Sequence, residues 1–311
     1  LALQQAVINL DTAFGNFFKK RARFPSFKRK HGKQSSYHPN GKVLTGAIQI
    51  PKMKPVRANI HREIVGKVSS ITISRTATGK YYASILCDDG QEAPEKPTLI
   101  TGVTGLDMGL SHYAIKSSGD KITNPRHLIN ASHNLRRKQK ALSRKQKGSA
   151  NRRKARLLLA GVHERVANAR ADFQHKLSRT LVDENQAVIV ETLKAANMMK
   201  NHCLARAIGD AAWAGFVTKL EYKAAAAGIH LVKLDQWFAS SKTCHCCGHK
   251  MEEMPLNKRI WQCPMCGVEH DRDVNAAINI QRKGITELQA AGLVVSAHGG
   301  QRKSVISTVA A

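Results

Sequence analysis

Four cysteines stand in two like turns, Cys244-x-x-Cys247-Gly248 and Cys263-x-x-Cys266-Gly267, separated by 15 residues. This spacing suits a tetrahedral four-thiolate zinc site: each turn aims two sulfurs at one metal, and the following glycine lets the backbone curl around them. Cys246 and His245 lie inside the first turn but do not fit the paired pattern. The chain has seven cysteines, five of them between 244 and 266. That number and crowding suit a metal site better than a disulfide framework. The expected ion is a structural staple, not the catalyst.

Three acids fall at the ends of apolar runs: Asp107 after GVTGL, Glu191 after AVIV, and Asp273 at the start of the last helical pattern, with Gly284 as its stop. Two Mg²⁺ ions, about 3.5 to 4 Å apart, can hydrolyse a phosphodiester when carboxylates from separate elements converge on them. Any fold also places acids at strand ends, so spacing alone leaves both readings open.

The charge balance names the partner. Fifty Lys plus Arg against 22 Asp plus Glu give +28 and a pI near 10.2 over 311 residues. That far exceeds what solubility needs and points to a polyanion. A hydrophobic content of 42% supports folded cores. No apolar stretch approaches the roughly 18 to 20 residues of a membrane span, and no signal core follows a charged start. A cytoplasmic protein without a membrane partner is expected.

Cations concentrate in two places. Residues 16–33 hold eight Lys or Arg and no acid, interleaved with Phe17, Phe18, Phe24 and Phe27. Lys19, Lys20, Arg21, Arg23, Lys28 and Arg29 are candidate phosphate contacts, and each Phe is either a base-stacking or a core residue. Residues 133–170 hold 13 Lys or Arg against one acid, Glu164. They read as a hairpin of two helices around a KGSAN turn. Ala155, Leu158, Val162, Val166, Ala169, Phe173, Leu177 and Leu181 form an apolar stripe on the second helix. The other faces expose Arg136, Arg137, Lys138, Arg144, Lys145, Lys147, Arg152, Arg153 and Lys154, whose mutual repulsion a nucleic-acid backbone would relieve.

Between these segments, residues 43–88 alternate as antiparallel strands, and DGQEAPEKP near 90–98 reads as a linker. A hairpin then carries Asp107. After the helices come the runs AVIVE, a helix around 205–227 and the strand IHLVKLD. VNAAINIQRKG forms the last helix, with Ala277, Ile278 and Ile280 inward, followed by a loosely ordered tail.

In order, GLDMGL, the basic KGSANRRKARLLLAGVHERVANARADFQHKLS run, VIVETL, SSKTCHCCG, CPMCG and HDRDVNAAINI give a chain that resembles the TnpB-type transposon-encoded proteins, relatives of type V CRISPR effectors. The resemblance implies an α+β, multi-domain protein. Residues 1–95 would be a partial helical recognition segment plus a wedge-like β-barrel. Residues 96–240 would be an RNase H-like (RuvC) α/β nuclease domain with the basic hairpin, 241–270 an inserted four-cysteine zinc ribbon, 271–286 the final RuvC segment and 287–311 the tail. It implies an RNA-guided DNA endonuclease whose partners are a guide RNA and target double-stranded DNA in the prokaryotic cytoplasm or nucleoid. Asp107, Glu191 and Asp273 would be the Mg²⁺-binding catalytic triad, and Cys244, Cys247, Cys263 and Cys266 the Zn²⁺ ligands. Asp271 is the rival for the third carboxylate, and Arg272 between the two would meet phosphate.

Two features depart from the family pattern: Glu191-Thr192-Leu193 lacks the acid that usually follows the glutamate, and, with Leu1 entering directly into a helical pattern, the family's N-terminal strand and part of its recognition region are expected to be missing, as in an N-terminally truncated chain. Two alternatives follow, a non-cutting nucleic-acid-binding remnant or regulator, and a transposase that joins DNA ends.

Overall fold

The computed structural model describes residues 2–26, 34–255 and 258–296. The chain divides into two compact units, one of residues 1–92 and 141–161, the other of 93–140 and 162–311.

The first unit opens with α1 (Ala2–Phe18), followed by β1 (Gln34–His38), β2 (Lys42–Leu44), β3 (Ala47–Gln49), β4 (Val56–Arg57), β5 (Lys67–Arg75) and β6 (Tyr81–Asp88). These strands form two antiparallel three-stranded sheets, β1-β5-β6 and β2-β3-β4. Buried Ile48, Ile50 and Ile71 join the sheets into one small core. The Thr78-Gly79-Lys80 reversal between β5 and β6 places Gly79 at φ +87°, a conformation that favours glycine.

The second unit is built on the sheet β10-β9-β8-β11-β12, formed by β8 (Val103–Met108), β9 (His112–Lys116), β10 (Lys121–Thr123), β11 (Ala187–Glu191) and β12 (His230–Leu234). A short strand β7 (Leu99–Ile100) precedes it. Strands β8, β11 and β12 run parallel, while β9 and β10 add antiparallel hairpins. The interior strand β11 is apolar on both faces, as a doubly covered parallel strand must be. Leu106, Met108, Val188 and Val190 pack on one face with Trp213, Phe216 and Leu220. Val103, Ala187, Ile189 and Leu234 pack on the other with Ile280 and Leu288. The helices are α2 (His127–Ser143) and α3 (Ala150–Glu184), whose residues 141–161 count with the first unit, then α4 (Ala195–Met198), α5 (Ala205–Ala211), α6 (Trp213–Ala226) and α7 (Arg272–Ala290). The cysteine segment adds the hairpin β13 (Ile260–Gln262) and β14 (Glu269–Asp271), and β15 (Val294–Val295) pairs with β7. No helix among the described residues is long and apolar enough to cross a membrane.

Several expectations need correction. The helix over 205–227 is two helices, broken at Ala212 with φ +50°, where Gln174 Nε2 donates to the carbonyls of both Ala211 and Ala212. Gly284 does not stop α7; it lies within the helix, against Ile189, and the helix continues to Ala290. Of the expected tail 287–311, residues 287–296 are therefore ordered, with Leu288 buried and β15 in a sheet, and residues 297–311 lie outside the described residues. Asp271, not Asp273, caps α7, its Oδ1 accepting from the backbone N–H of Asp273 and Val274. Ile278 is only half-buried, while Asn275, Ala276 and Asn279 are buried beside Ala277 and Ile280. On α3 the stripe is buried at Val162, Val166 and Leu181, but Leu158 faces solvent.

Candidate active site

Asp107 ends β8 and Glu191 ends β11. The two strands are parallel with Leu106 opposite Val190, so the two acids follow side by side. Both belong to the alternation that faces α7, with Gly105 and Ile189 as their partners two residues back. Helix α7 reaches this face closely because glycine occurs at both contacts. A Cβ on Gly105 would lie 2.4 Å from the Ala277 carbonyl oxygen, and one on Gly284 would meet the buried Ile189 side chain. The approach delivers the first turn of α7, with Asp273, to the ends of β8 and β11.

The result is a crowded acidic site. Burial, then the Glu191 and Asp273 charges, push the Asp107 carboxyl up to about 8, against the pull of Arg272 and Arg259. Burial pushes Glu191 up to about 7, although its Oε1 accepts the Met108 N–H at 3.2 Å. Asp271 behaves differently. Burial opposes its ionisation, but the ammonium of Lys121, at 2.5 Å from Oδ2, and the helix N–H groups hold it below its ordinary value. Its oxygens are thus taken up by capping and an ion pair. Asp273 is gripped by Arg259, whose Nη1 lies 3.0 and 3.1 Å from its two oxygens. Among the described residues, Asp107, Glu191 and Asp273 do not bring one oxygen each within 4.8 Å of one another, as the four cysteine sulfurs do. Half-buried carboxyls that have lost water, one of them also raised by its acidic neighbours, suit a divalent cation, which would offset both the repulsion at Asp107 and the loss of water.

Sequence reasoning missed Arg259, Lys121 and the positioning glycines. Nothing in the sequence marked the two cations, which reach the site from the ribbon and from β10.

Cys244, Cys247, Cys263 and Cys266 converge, with one sulfur from each inside a 4.8 Å group. Cys244 and Cys266 Sγ are 3.7 Å apart and Cys247 and Cys263 Sγ 3.5 Å. Zinc–sulfur bonds of about 2.3 Å at tetrahedral angles place sulfurs about 3.8 Å apart, so the donor set fits Zn²⁺. Cys246 forms a second possible group with Cys244 and His270. Among the described residues, the ribbon core holds Cys244, Met254, Trp261 and Cys263 with Met251 packed against them, little apolar matter for folding without a metal.

The predicted phosphate contacts divide by role. Lys19, Lys20, Arg21 and Arg23 are exposed beside a cluster in which Phe24 meets Phe14 and Phe17 edge-on at 5.6 and 5.3 Å. Lys28, Arg29 and Phe27 lie outside the described residues. Arg136, Arg137, Arg144, Lys145, Lys147, Arg153 and Lys154 are exposed and Lys138 is half-buried. Arg152 instead ties the helical turn together, donating to the carbonyls of Leu142 and Lys145. Arg272 donates to the Pro255 carbonyl.

Residues 84–202 match a family profile described as "Probable transposase" (OrfB_IS605), and 213–280 match "Cas12f1-like, TNB domain". A protein of Streptomyces pristinaespiralis named "Putative RNA-guided DNA endonuclease" is 43% identical over 303 residues, covering 96% of this chain and 72% of the relative. InsQ of Escherichia coli (strain K12), which carries the same name, is 30% identical over 94% of this chain and 77% of its own. A solved Cas12f1-sgRNA-target DNA complex aligns with 89% of this chain and 77% of its own at TM-score 0.45 and 16% identity. The chain belongs to the TnpB-type transposase family, whose members here bear the name RNA-guided DNA endonuclease.

Proposed function

We propose that the chain is an RNA-guided, Mg²⁺-dependent DNA endonuclease that cuts at Asp107, Glu191 and Asp273. The observation that carries this reading is the pair of half-buried acids side by side at the ends of parallel β8 and β11, both pushed toward the neutral form, with Asp273 close enough to add to the shift of Asp107. The sheet with its β8-β9-β10 hairpins is the RNase H-like (RuvC) core, the four thiolates are a structural Zn²⁺ site, and the strands of residues 34–88 are the wedge. Guide RNA and target DNA are the polyanions that the +28 chain neutralises, in the prokaryotic cytoplasm or nucleoid.

Bound divalent ions would activate water for attack on phosphorus and offset charge on the departing 3′ oxygen. The protein's part is positional. Asp107 and Glu191 ionise to receive the cations, the Met108 N–H orients the Glu191 carboxylate, and Asp273 turns inward from Arg259 to complete the donor set. Asp271 keeps the helix start in place through its cap. Base pairing with the guide selects the sequence, and exposed cations grip backbone.

The test is Asp107→Ala in the full chain with its co-purified RNA. Cutting should disappear while bound RNA is unchanged. Cleavage that persists would remove Asp107, and the triad with it, from the mechanism.

A further inference from the structure

Trp237 is 82% exposed, whereas the other two tryptophans, Trp213 and Trp261, are each 2% exposed. From Lys223 to Pro255 it is the sole exposed large apolar side chain. It is nevertheless held in place. The Trp237 N–H donates to Asp235 Oδ1 at 2.8 Å, its neighbour Phe238 packs on the cluster of Ile189, Leu234 and Ile280, and Asn279 Nδ2 donates to the Ser240 carbonyl at 2.8 Å. A fixed loop thus presents an unpartnered indole to solvent.

Its place in the sheet gives this a meaning. Leu234 pairs with Glu191 across the parallel strands, so the chain leaving β12 emerges at the same sheet edge as Asp107 and Glu191. Phe238 and Asn279 keep the loop on the α7 face, where those acids point. Adjacent strands are about 4.8 Å apart, and three residues carry the chain no more than about 11 Å beyond Leu234. One strand lying at the carboxylates therefore passes within reach of Trp237.

We propose that Trp237 stacks on an unpaired base of the DNA strand being cut and so fixes that strand over the carboxylates. The proposal rests on the nuclease reading of the same edge. A protein-docking residue would sit within an apolar surround, but here the nearby Asp235 is exposed and charged. A base stacks on an aromatic ring irrespective of sequence, which suits an enzyme whose target is chosen by RNA. Duplex bases hide their faces, so the fitting partner is single-stranded DNA.

Because Trp213 and Trp261 are buried, emission open to iodide quenching reports Trp237. The full-length protein is titrated with a short oligodeoxythymidylate without added Mg²⁺, following both emission and oligonucleotide anisotropy. Binding should change the emission and shield it from iodide. Trp237→Ala should remove that change and weaken binding about tenfold, toward the low end of what stacking one base supplies, while Trp237→Phe should retain most of the affinity. Two results overturn the proposal: no binding by the wild type, or binding with unaltered emission and an affinity that Trp237→Ala leaves unchanged. A role in docking protein would give the latter. Loss of cutting in every variant, wild type included, would instead sink the nuclease reading and leave the stacking result standing.

Discussion

Replacing Gly105 by Ala tests whether the approach of α7 sets the geometry of the acids. The new Cβ would lie 2.4 Å from the Ala277 carbonyl oxygen and 2.6 Å from the Gln281 nitrogen, both backbone atoms of α7 that no rotamer change can move. An ordinary carbon–oxygen contact is about 3.3 Å, so the helix must retreat by about 0.9 Å. Overpacking of this kind costs about 1 to 3 kcal/mol, and the lower entropy of Ala in the unfolded chain offsets about 0.5 to 1 kcal/mol of it. The protein remains folded. Asp273 rides on the displaced helix, however, and a misplacement of about 1 Å can cost about 10²-fold in rate, or about 2.7 kcal/mol of barrier. Initial cleavage rates of the RNA-loaded protein, measured beside a urea melt, compare the two losses. Gly209→Ala is the control, since a Cβ there meets nothing within 4 Å. A Gly105→Ala protein that is destabilised yet cuts at the wild-type rate would refute the idea that helix approach sets the carboxylate geometry.

Two further outcomes follow from the titrations and the ribbon. Asp107 and Glu191 are raised from ordinary values of 3.8 and 4.5 to about 8 and about 7, so the folded state holds protons that the unfolded chain releases. Their contribution to stability is complete below the ordinary values and is lost as pH rises through 7 and 8; Mg²⁺-free melting temperature should fall across that window, Mg²⁺ should restore it most at the upper end, and Asp107→Asn should flatten the slope. Stripping zinc with a chelator should expose Trp261, now 2% exposed, and red-shift its emission in a Trp237→Phe background; an emission unmoved by metal release would show that the ribbon folds on its own.

Much of this was legible in the sequence because the signals were local. The cysteine turns dictate their own geometry, and apolar runs ending in Asp107 and Glu191 read directly as strands with an acid at the end. What could not be read depends on neighbours far along the chain. Gly284 has the look of a helix stop, but the surface of Ile189 requires a residue without a side chain at that point within the helix. Asp271 and Asp273 differ by two positions, and what distinguishes their surroundings lies far off in sequence or in the ribbon: Lys121, 150 residues away, on the first and Arg259 on the second. Leu158 continues the helical stripe in sequence but has no buried surface to join.

The final helix binds the two metal-related sites into one problem. Asn275 Nδ2 donates to the Thr243 carbonyl and its Oδ1 accepts the His245 N–H, so it brackets Cys244 from both sides. Asn279, one turn on, donates to the carbonyls of Ser240 and Thr243. His270, buried against Trp261, places Nε2 3.1 Å from Cys244 Sγ, and Asp271 and Asp273 follow it in the chain. The same helix that presents Asp273 to Asp107 thus grips the backbone of the first cysteine turn. Asparagine is suited to this because each amide offers donors and an acceptor, and a buried amide left unpaired is costly. The motif VNAAIN is therefore not only a helix with an apolar face: Ala277 and Ile280 hold it to the sheet, while Asn275 and Asn279 hold the ribbon to it. If the four thiolates hold Zn²⁺ as proposed, its loss would free Ser240 and Thr243 and leave both amides unsatisfied at the start of the helix that carries Asp273. In the proposed nuclease, the placing of Asp273 would therefore depend on the thiolates and on Asn275 and Asn279 as well as on the carboxylates.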